Sequence, residues 1–145
     1  MMQNILITVL VSILLASVSF ADDLLPFSAT CKDKQVKAYR YAIDVNGKVI
    51  NDEWSEGEKF QSGWHFKYNG GNVILLDGKP FPIVGRSGPC IVFSDGGEAP
   101  FGVGIWVYAI NLKLKKIVAA QVQAGHGILD GIKTRSVCLD CIFDN

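Results

Sequence analysis

The sequence predicts an all-β fold, a small antiparallel meander barrel or sandwich of about eight strands stabilised by disulfides. Three observations carry this. Residues 104–125 alternate with period two on both sides of a polar turn, with Trp106, Tyr108, Ile110 and Leu112 in one phase and Ile105, Val107 and Ala109 in the other. Turn signals recur along the chain at Asn46-Gly47, Asn69-Gly70-Gly71, Asp77-Gly78, Asp95-Gly96-Gly97 and Asp130-Gly131. The chain holds 4 cysteines, the usual framework of a small exported domain.

The 145 residues amount to one folded domain after an export signal. Residues 5–20 are uncharged and apolar, and Ser19-Phe20-Ala21 places small residues at a cleavage site before Asp22. The run is shorter than the roughly 20 residues of a spanning helix. The expected division is therefore a cleaved signal peptide over residues 1–21, a lead-in over 22–30 and one β domain over 31–145. This implies a periplasmic or extracellular protein with no stable membrane span. Positive and negative side chains balance at 14 each, so the electrostatic footprint of a nucleic-acid binder is missing.

In order, the first strand opens at Cys31 and runs through Tyr39 and Tyr41 to the Asn46-Gly47 hairpin. Residues 51–62 suit one helical turn, because Ser55 and Glu58 have capping-box spacing. Residues 63–68 form a strand with Trp64, Phe66 and Tyr68 on one face and His65 on the other. Residues 73–76 form a short strand that turns at Asp77-Gly78. Pro80 and Pro82 cannot donate to a ladder, which puts their segment at an edge or a strand end. Residues 85–89 read as a loop, residues 90–93 as a strand and residues 94–102 as a long connection. The hairpin over 104–125 follows, with Ile117, Ala119, Gln121 and Gln123 in one phase of its return arm and Val118, Ala120, Val122 and Ala124 in the other. Residues 132–143 supply the last strand.

The chemistry-bearing residues are few. Cys138 and Cys141 have the spacing of a redox pair, but such a pair opens a helix, and the residues after Cys141 do not form one. A structural zinc site wants two close pairs of ligands, and only one close pair exists. Structural disulfides among Cys31, Cys90, Cys138 and Cys141 are the expectation. In a regular strand the α-carbons of Cys138 and Cys141 lie roughly 10 Å apart, beyond the ~7 Å limit of a disulfide. Their side chains also point to opposite faces, Cys141 with Val137, Leu139 and Phe143. Long-range pairing is the favoured expectation, with Cys31 and Cys90 each taking one of the two; the alternative is that the strand ends before Cys138 and a tight turn closes Cys138 on Cys141, leaving Cys31 with Cys90. In a closed meander the first and last strands meet, which brings Cys31 to one of this pair.

The aromatic row Tyr39, Tyr41, Trp64, Phe66, Tyr68, Trp106 and Tyr108 is expected mainly to fill the core, and alternatively to line a ligand cavity. Neither histidine carries a motif. Glu53, Glu56 and Glu58 read as a solvated charge run, and Lys113, Lys115 and Lys116 as a solvated turn. No catalytic residue, metal site or cofactor is expected. The function expected is that of an exported, non-enzymatic binding protein, of the inhibitor or immunity type with a protein partner. A lipocalin-like carrier of a small apolar ligand is the second reading. A thiol-disulfide enzyme using Cys138 and Cys141, or an enzyme centred on His126, is the third.

Overall fold

The structure, a computed structural model, describes residues 24–59, 63–99, 102–125 and 130–144. The expected signal segment and His126 lie outside the described residues. The described residues form nine strands in one antiparallel sheet. They are β1 (Phe27–Ile43), β2 (Val49–Glu56), β3 (Trp64–Tyr68), β4 (Val73–Leu76), β5 (Lys79–Ser87), β6 (Cys90–Ala99), β7 (Gly102–Asn111), β8 (Lys116–Gly125) and β9 (Asp130–Asp144).

The sheet closes on itself because β9 pairs with β1 from Ser28↔Asp144 to Ile43↔Asp130. On its other side β1 pairs first with β3, from Phe27↔Tyr68 to Cys31↔Trp64, and then with β2, from Lys37↔Glu56 to Ile43↔Val49. The result is an eight-stranded barrel with β2 as an extra strand on the upper half of β1. The β5–β6 and β7–β8 turns lie at the lower end. The β1–β2 turn, the end of β6, the start of β7, the end of β8 and the start of β9 lie at the upper end.

Several strands reach further than the sequence suggests. β1 starts at Phe27, so half of the expected lead-in is strand. Residues 51–56 belong to β2 rather than to a helical turn, because Asn51 to Glu56 pair with β1. The expected connection over 94–102 is instead the top of a long hairpin, with β6 and β7 paired up to Ala99↔Gly102. Gly96 marks a close approach there rather than a turn, since a Cβ would meet the Gly104 carbonyl oxygen at 2.8 Å. β5 likewise takes in residues 85–87 of the expected loop. Asp77-Gly78 does turn the chain, with positive φ at both residues between the paired Leu76 and Lys79.

The lower interior is packed. Phe66, Tyr68, Phe93, Tyr108, Ile74, Ile91, Ile110, Ile117, Val36, Val137 and Leu139 are each at most 2 % exposed. Phe93 stacks on Tyr108 at 4.6 Å between centroids, and Phe66 meets both rings edge-on. Cys31 and Cys141 face each other across β1 and β9 and form a disulfide with a sequence separation of 110. Closing so long a loop restricts the unfolded chain by about 4–5 kcal/mol in the chain-entropy account. It also points to an oxidising compartment. The long-range pairing expected for Cys31 is thus present, but the second disulfide is not. Cys90 and Cys138 are free thiols. They lie on the outer face, and β7 and β8 stand between their strands, too wide a gap for a bond at about 4.8 Å per strand.

Candidate functional site

The prolines of β5 shape the opening of the barrel. Pro80 and Pro82 pair with Leu75 and Val73 of β4, while the ladder to β6 begins only at Ile83↔Phe93. Having no N–H to offer, the two prolines lie in the stretch of β5 with no ladder partner on the β6 side. This is the strand end expected from the sequence. Above Phe93, β6 holds only β7, and the wall opens between β5 and β6.

Into this opening face Trp64 and Leu76 from the short wall, Phe81 from β5, and Trp106 and Tyr108 from β7. They line a recess of about 310 Å³ together with Gly63 and the charged side chains of Asp77, Lys79 and Asp95. Asp95 and Trp106 are direct cross-strand partners, so both side chains take the inner face. Trp64 stands nearly perpendicular to Trp106, at 5.7 Å and 68°, and to Tyr108, at 5.8 Å and 70°. Trp106 and Tyr108 lie closer to parallel, at 6.1 Å and 21°. The three rings form a corner. Trp64 is fixed from behind, its indole N–H donating to the buried Asp33 carboxylate. Asp77 is held by the backbone N–H of His65, which donates to its Oδ1 at 3.0 Å. Burial, and then the charges of Asp95 and Asp77, hold the Tyr108 phenol well above its ordinary pKa, so it stays protonated and neutral.

The expected aromatic row is therefore split. Phe66 and Tyr68 are core, and the Tyr68 hydroxyl donates to the Gly71 carbonyl and accepts from Arg86. Trp64 and Tyr108 are core side chains that also wall the recess, and Trp106 is half-buried at its rim. Tyr39 and Tyr41 are neither core nor recess. Tyr39 donates to Asp52 at 2.6 Å and packs on Trp54 outside the barrel. The cause is a bulge in β1 between Asp33 and Gln35, which reverses the phase of alternation. Cys31 and Asp33 point inward before it, and Val36, Ala38 and Ala42 after it.

A second recess, of about 220 Å³, lies where β1, β2 and β9 curl together, lined by Arg40, Asn51, Ser55, Glu56, Glu58, Lys133 and Arg135 among others. Partial burial, then the charges of Arg135 and Arg40, lower the Lys133 pKa against the opposing pull of Glu58. Among the described residues, none donates a hydrogen bond to the buried Asn51 Oδ1. Sequence reasoning left these residues scattered. The signal for two of them was the phase of β9, in which Lys133 and Arg135 share the inner face with Val137 and Leu139.

The outer face of β6 to β9 is apolar. Cross-strand rows run Val92–Ala109–Val118–Cys138, then Val107–Ala120–Ser136, then Ile105–Val122–Thr134, then Val103–Ala124–Ile132. Val103, Ile105, Val107, Val118, Val122 and Ile132 are all exposed, and a groove of about 410 Å³ crosses this face beside Cys138. Cys138 is on this face and Cys141 is bonded on the inner one, so the two do not form the dithiol site considered from their spacing. His65 is exposed on the outside of β3, beside Thr30. Among the described residues, no group of three or more His, Cys, Asp or Glu side chains could hold a metal ion, and no helix is long and apolar enough to cross a membrane. No protein-family model matches the chain, and comparison with curated proteins and with solved structures finds no similar one.

Proposed function

We propose that the chain is an exported, non-enzymatic binding protein whose ligand site is the barrel mouth between β5 and β6. The observation that carries this is the recess of about 310 Å³ in which an aromatic corner meets Asp77, Asp95 and Lys79. Apolar walls with a few fixed polar groups are the usual make-up of a small-molecule site. The site differs from a lipocalin-like cavity in depth. Below the Phe93–Tyr108 level the interior is filled with side chains, so a ligand would occupy the mouth and not the barrel centre. Export rests on the apolar run over residues 5–20, and the disulfide agrees with an oxidising compartment. Amino-terminal sequencing of protein recovered from the periplasm or medium tests export and should begin at Asp22. Native mass spectrometry of protein taken from its own host tests the mouth. A bound small molecule should appear and should be lost in Trp106→Ala, and retention in that variant would remove the mouth from consideration.

A second reading is a protein partner seated on the outer face of β6 to β9. It is favoured by the contiguous apolar rows there, since a large contiguous exposed apolar face marks an interaction surface. Val107→Lys at the middle of that face would abolish capture of such a partner and leave the mouth unaffected.

A further inference from the structure

The mouth carries a sign as well as a shape. Among the described residues, the charged side chains that line it are two carboxylates, Asp77 and Asp95, and one ammonium, Lys79. The carboxylates stand on opposite sides of the opening, one in the β4–β5 turn and one on β6, while Lys79 is exposed at the start of β5. Their field reaches the rings, because both raise the Tyr108 pKa in addition to the effect of its burial. The positive side chains Arg40, Lys133 and Arg135 line the other recess, on the β1–β9 side, beside Glu56 and Glu58.

The ring geometry narrows the ligand further. A sugar stacks best on a flat aromatic platform flanked by hydrogen-bonding groups. Here Trp64 packs edge-on against Trp106 and Tyr108, at 68° and 70°, so the recess is walled by rings in two orientations and not by one flat platform, with the half-buried Trp106 the most accessible of the three. The negative face of an aromatic ring attracts a cation, most strongly for Trp, and several rings around a common point form a cage for an alkylated ammonium group. Methyl groups on the nitrogen satisfy the apolar walls, and the charge answers the carboxylates.

We propose, resting on the mouth as the binding site, that its ligand is a small organic cation carrying a tertiary or quaternary alkylammonium group, held in the Trp64–Trp106–Tyr108 corner with Asp77 and Asp95 as its counter-charges. A cation of this class could arrive free or as the headgroup of a lipid.

The test is calorimetric titration of the full mature protein with three probes: choline, its uncharged carbon isostere 3,3-dimethylbutan-1-ol, and methyl glucoside. Choline should bind at least about tenfold more tightly than the isostere, as a desolvated cation–π contact implies. Asp95→Asn should weaken choline by about tenfold, and Lys79→Gln should strengthen it. Both positions are on the rim, so these variants fold even if Trp106→Ala does not. Equal or tighter binding of the isostere or the glucoside, lost in Trp106→Ala, would overturn the cation and leave the mouth standing. Choline binding that neither Asp95→Asn nor Trp106→Ala changes would overturn both. No binding of choline at tens of millimolar overturns the cation. Sedimentation with phosphatidylcholine vesicles assigns the source: protein that co-sediments and is released by free choline takes the ammonium from a lipid, and protein that stays in solution takes it free. Either result supports the proposal.

Discussion

The lower and upper halves of the barrel interior share β6 to β9, and along these strands they differ in almost every inner side chain. On β6 the inner face runs Ile91, Phe93, then Asp95 and Gly97. On β7 it runs Ile110, Tyr108, then Trp106 and Gly104. On β8 Ile117 and Ala119 give way to Gln121 and Gln123, and on β9 Leu139 and Val137 give way to Arg135 and Lys133. The change occurs at one level, since Phe93, Tyr108, Ala119, Val137 and Val36 form one cross-strand row and Asp95, Trp106, Gln121, Arg135 and Ala38 form the next. Below the boundary, packing holds the barrel closed. Above it, the walls are free to carry polar chemistry because the fold is already secured beneath them. The two short strands β3 and β4 and the prolines of β5 stop at about this level, which opens the upper half to solvent.

This contrast is tested most severely by truncating one ring on each side of the boundary. Phe93→Ala removes a fully buried side chain and should lower stability by about 3–5 kcal/mol in a urea titration. Trp106→Ala removes a larger ring that is half-buried, and should cost about 1–2 kcal/mol. Equal losses would mean that the core extends through the mouth.

The disulfide belongs to the lower half and should matter next. Replacing Cys31 and Cys141 together by Ala should cost about 2–5 kcal/mol, with little change in any ligand affinity of the mouth. Replacing Cys90 and Cys138, which are free and on the outer face, should cost far less. If that second pair costs as much as the first, the free thiols are bonded in the native protein.

The two halves also differ in how much of them the sequence revealed. Period two along residues 104–125 sorted the residues of β7 and β8 into the two phases that the structure places on the inner and outer faces, with Gln121 and Gln123 in the phase of Ile117 and Ala119. The parity of Cys138 and Cys141 put Cys141 on the more apolar face, and closure of a meander brought Cys31 to one of the two, which is Cys141; the bond expected from Cys90 to the other is not formed. The failures share a physical origin, which is that one inserted residue or one long-range pairing leaves no local trace. The bulge at Asp33/Gln35 turned Tyr39 and Tyr41 outward, and nothing in Asp-Lys-Gln announces it. Gly96 and Gly97 resemble a turn but lie within a strand, and Gly96 is there because the backbone of β7 approaches closely, a requirement that looks the same in sequence as that of a turn. The mouth combines residues from the start of β3, the β4–β5 turn, β6 and β7. Only the closed sheet brings them together.

A pH titration reads the boundary from another direction. Tyr108 sits just below it, with its pKa raised by burial and by Asp95 and Asp77 above it. A group whose pKa is raised on folding stabilises the native state fully below its unfolded value, near 10 for a phenol, and that contribution is lost as pH rises toward the folded value. Stability should therefore fall above about pH 10. Tyr108→Phe should flatten that fall, and Asp95→Asn should bring the Tyr108 ionisation, followed by tyrosinate absorbance, to lower pH. An unchanged alkaline profile in Tyr108→Phe would show that folding does not raise the Tyr108 pKa, and an unmoved tyrosinate transition in Asp95→Asn would show that this carboxylate does not act on the ring.

The smallest effect is expected where the contrast is sharpest. Gln121 lies one position above Ala119 on the inner face, between Trp106 and Arg135 in its cross-strand row, and is half-buried. Gln121→Leu replaces the amide by a branched apolar side chain one atom shorter and extends the apolar lining upward by one row. If the upper half is a solvated mouth, the change replaces one partly hydrated group by another and should move stability by no more than about 0.5 kcal/mol in either direction. It should still alter ligand affinity, because the new side chain stands beside Trp106. If the upper half is instead a buried polar core, removing the amide strands whatever it bonds, and the loss should reach about 1–3 kcal/mol. A denaturant midpoint for this one variant, set beside that of Phe93→Ala, therefore distinguishes a barrel that ends at the Phe93–Tyr108 level from one whose core continues into the mouth.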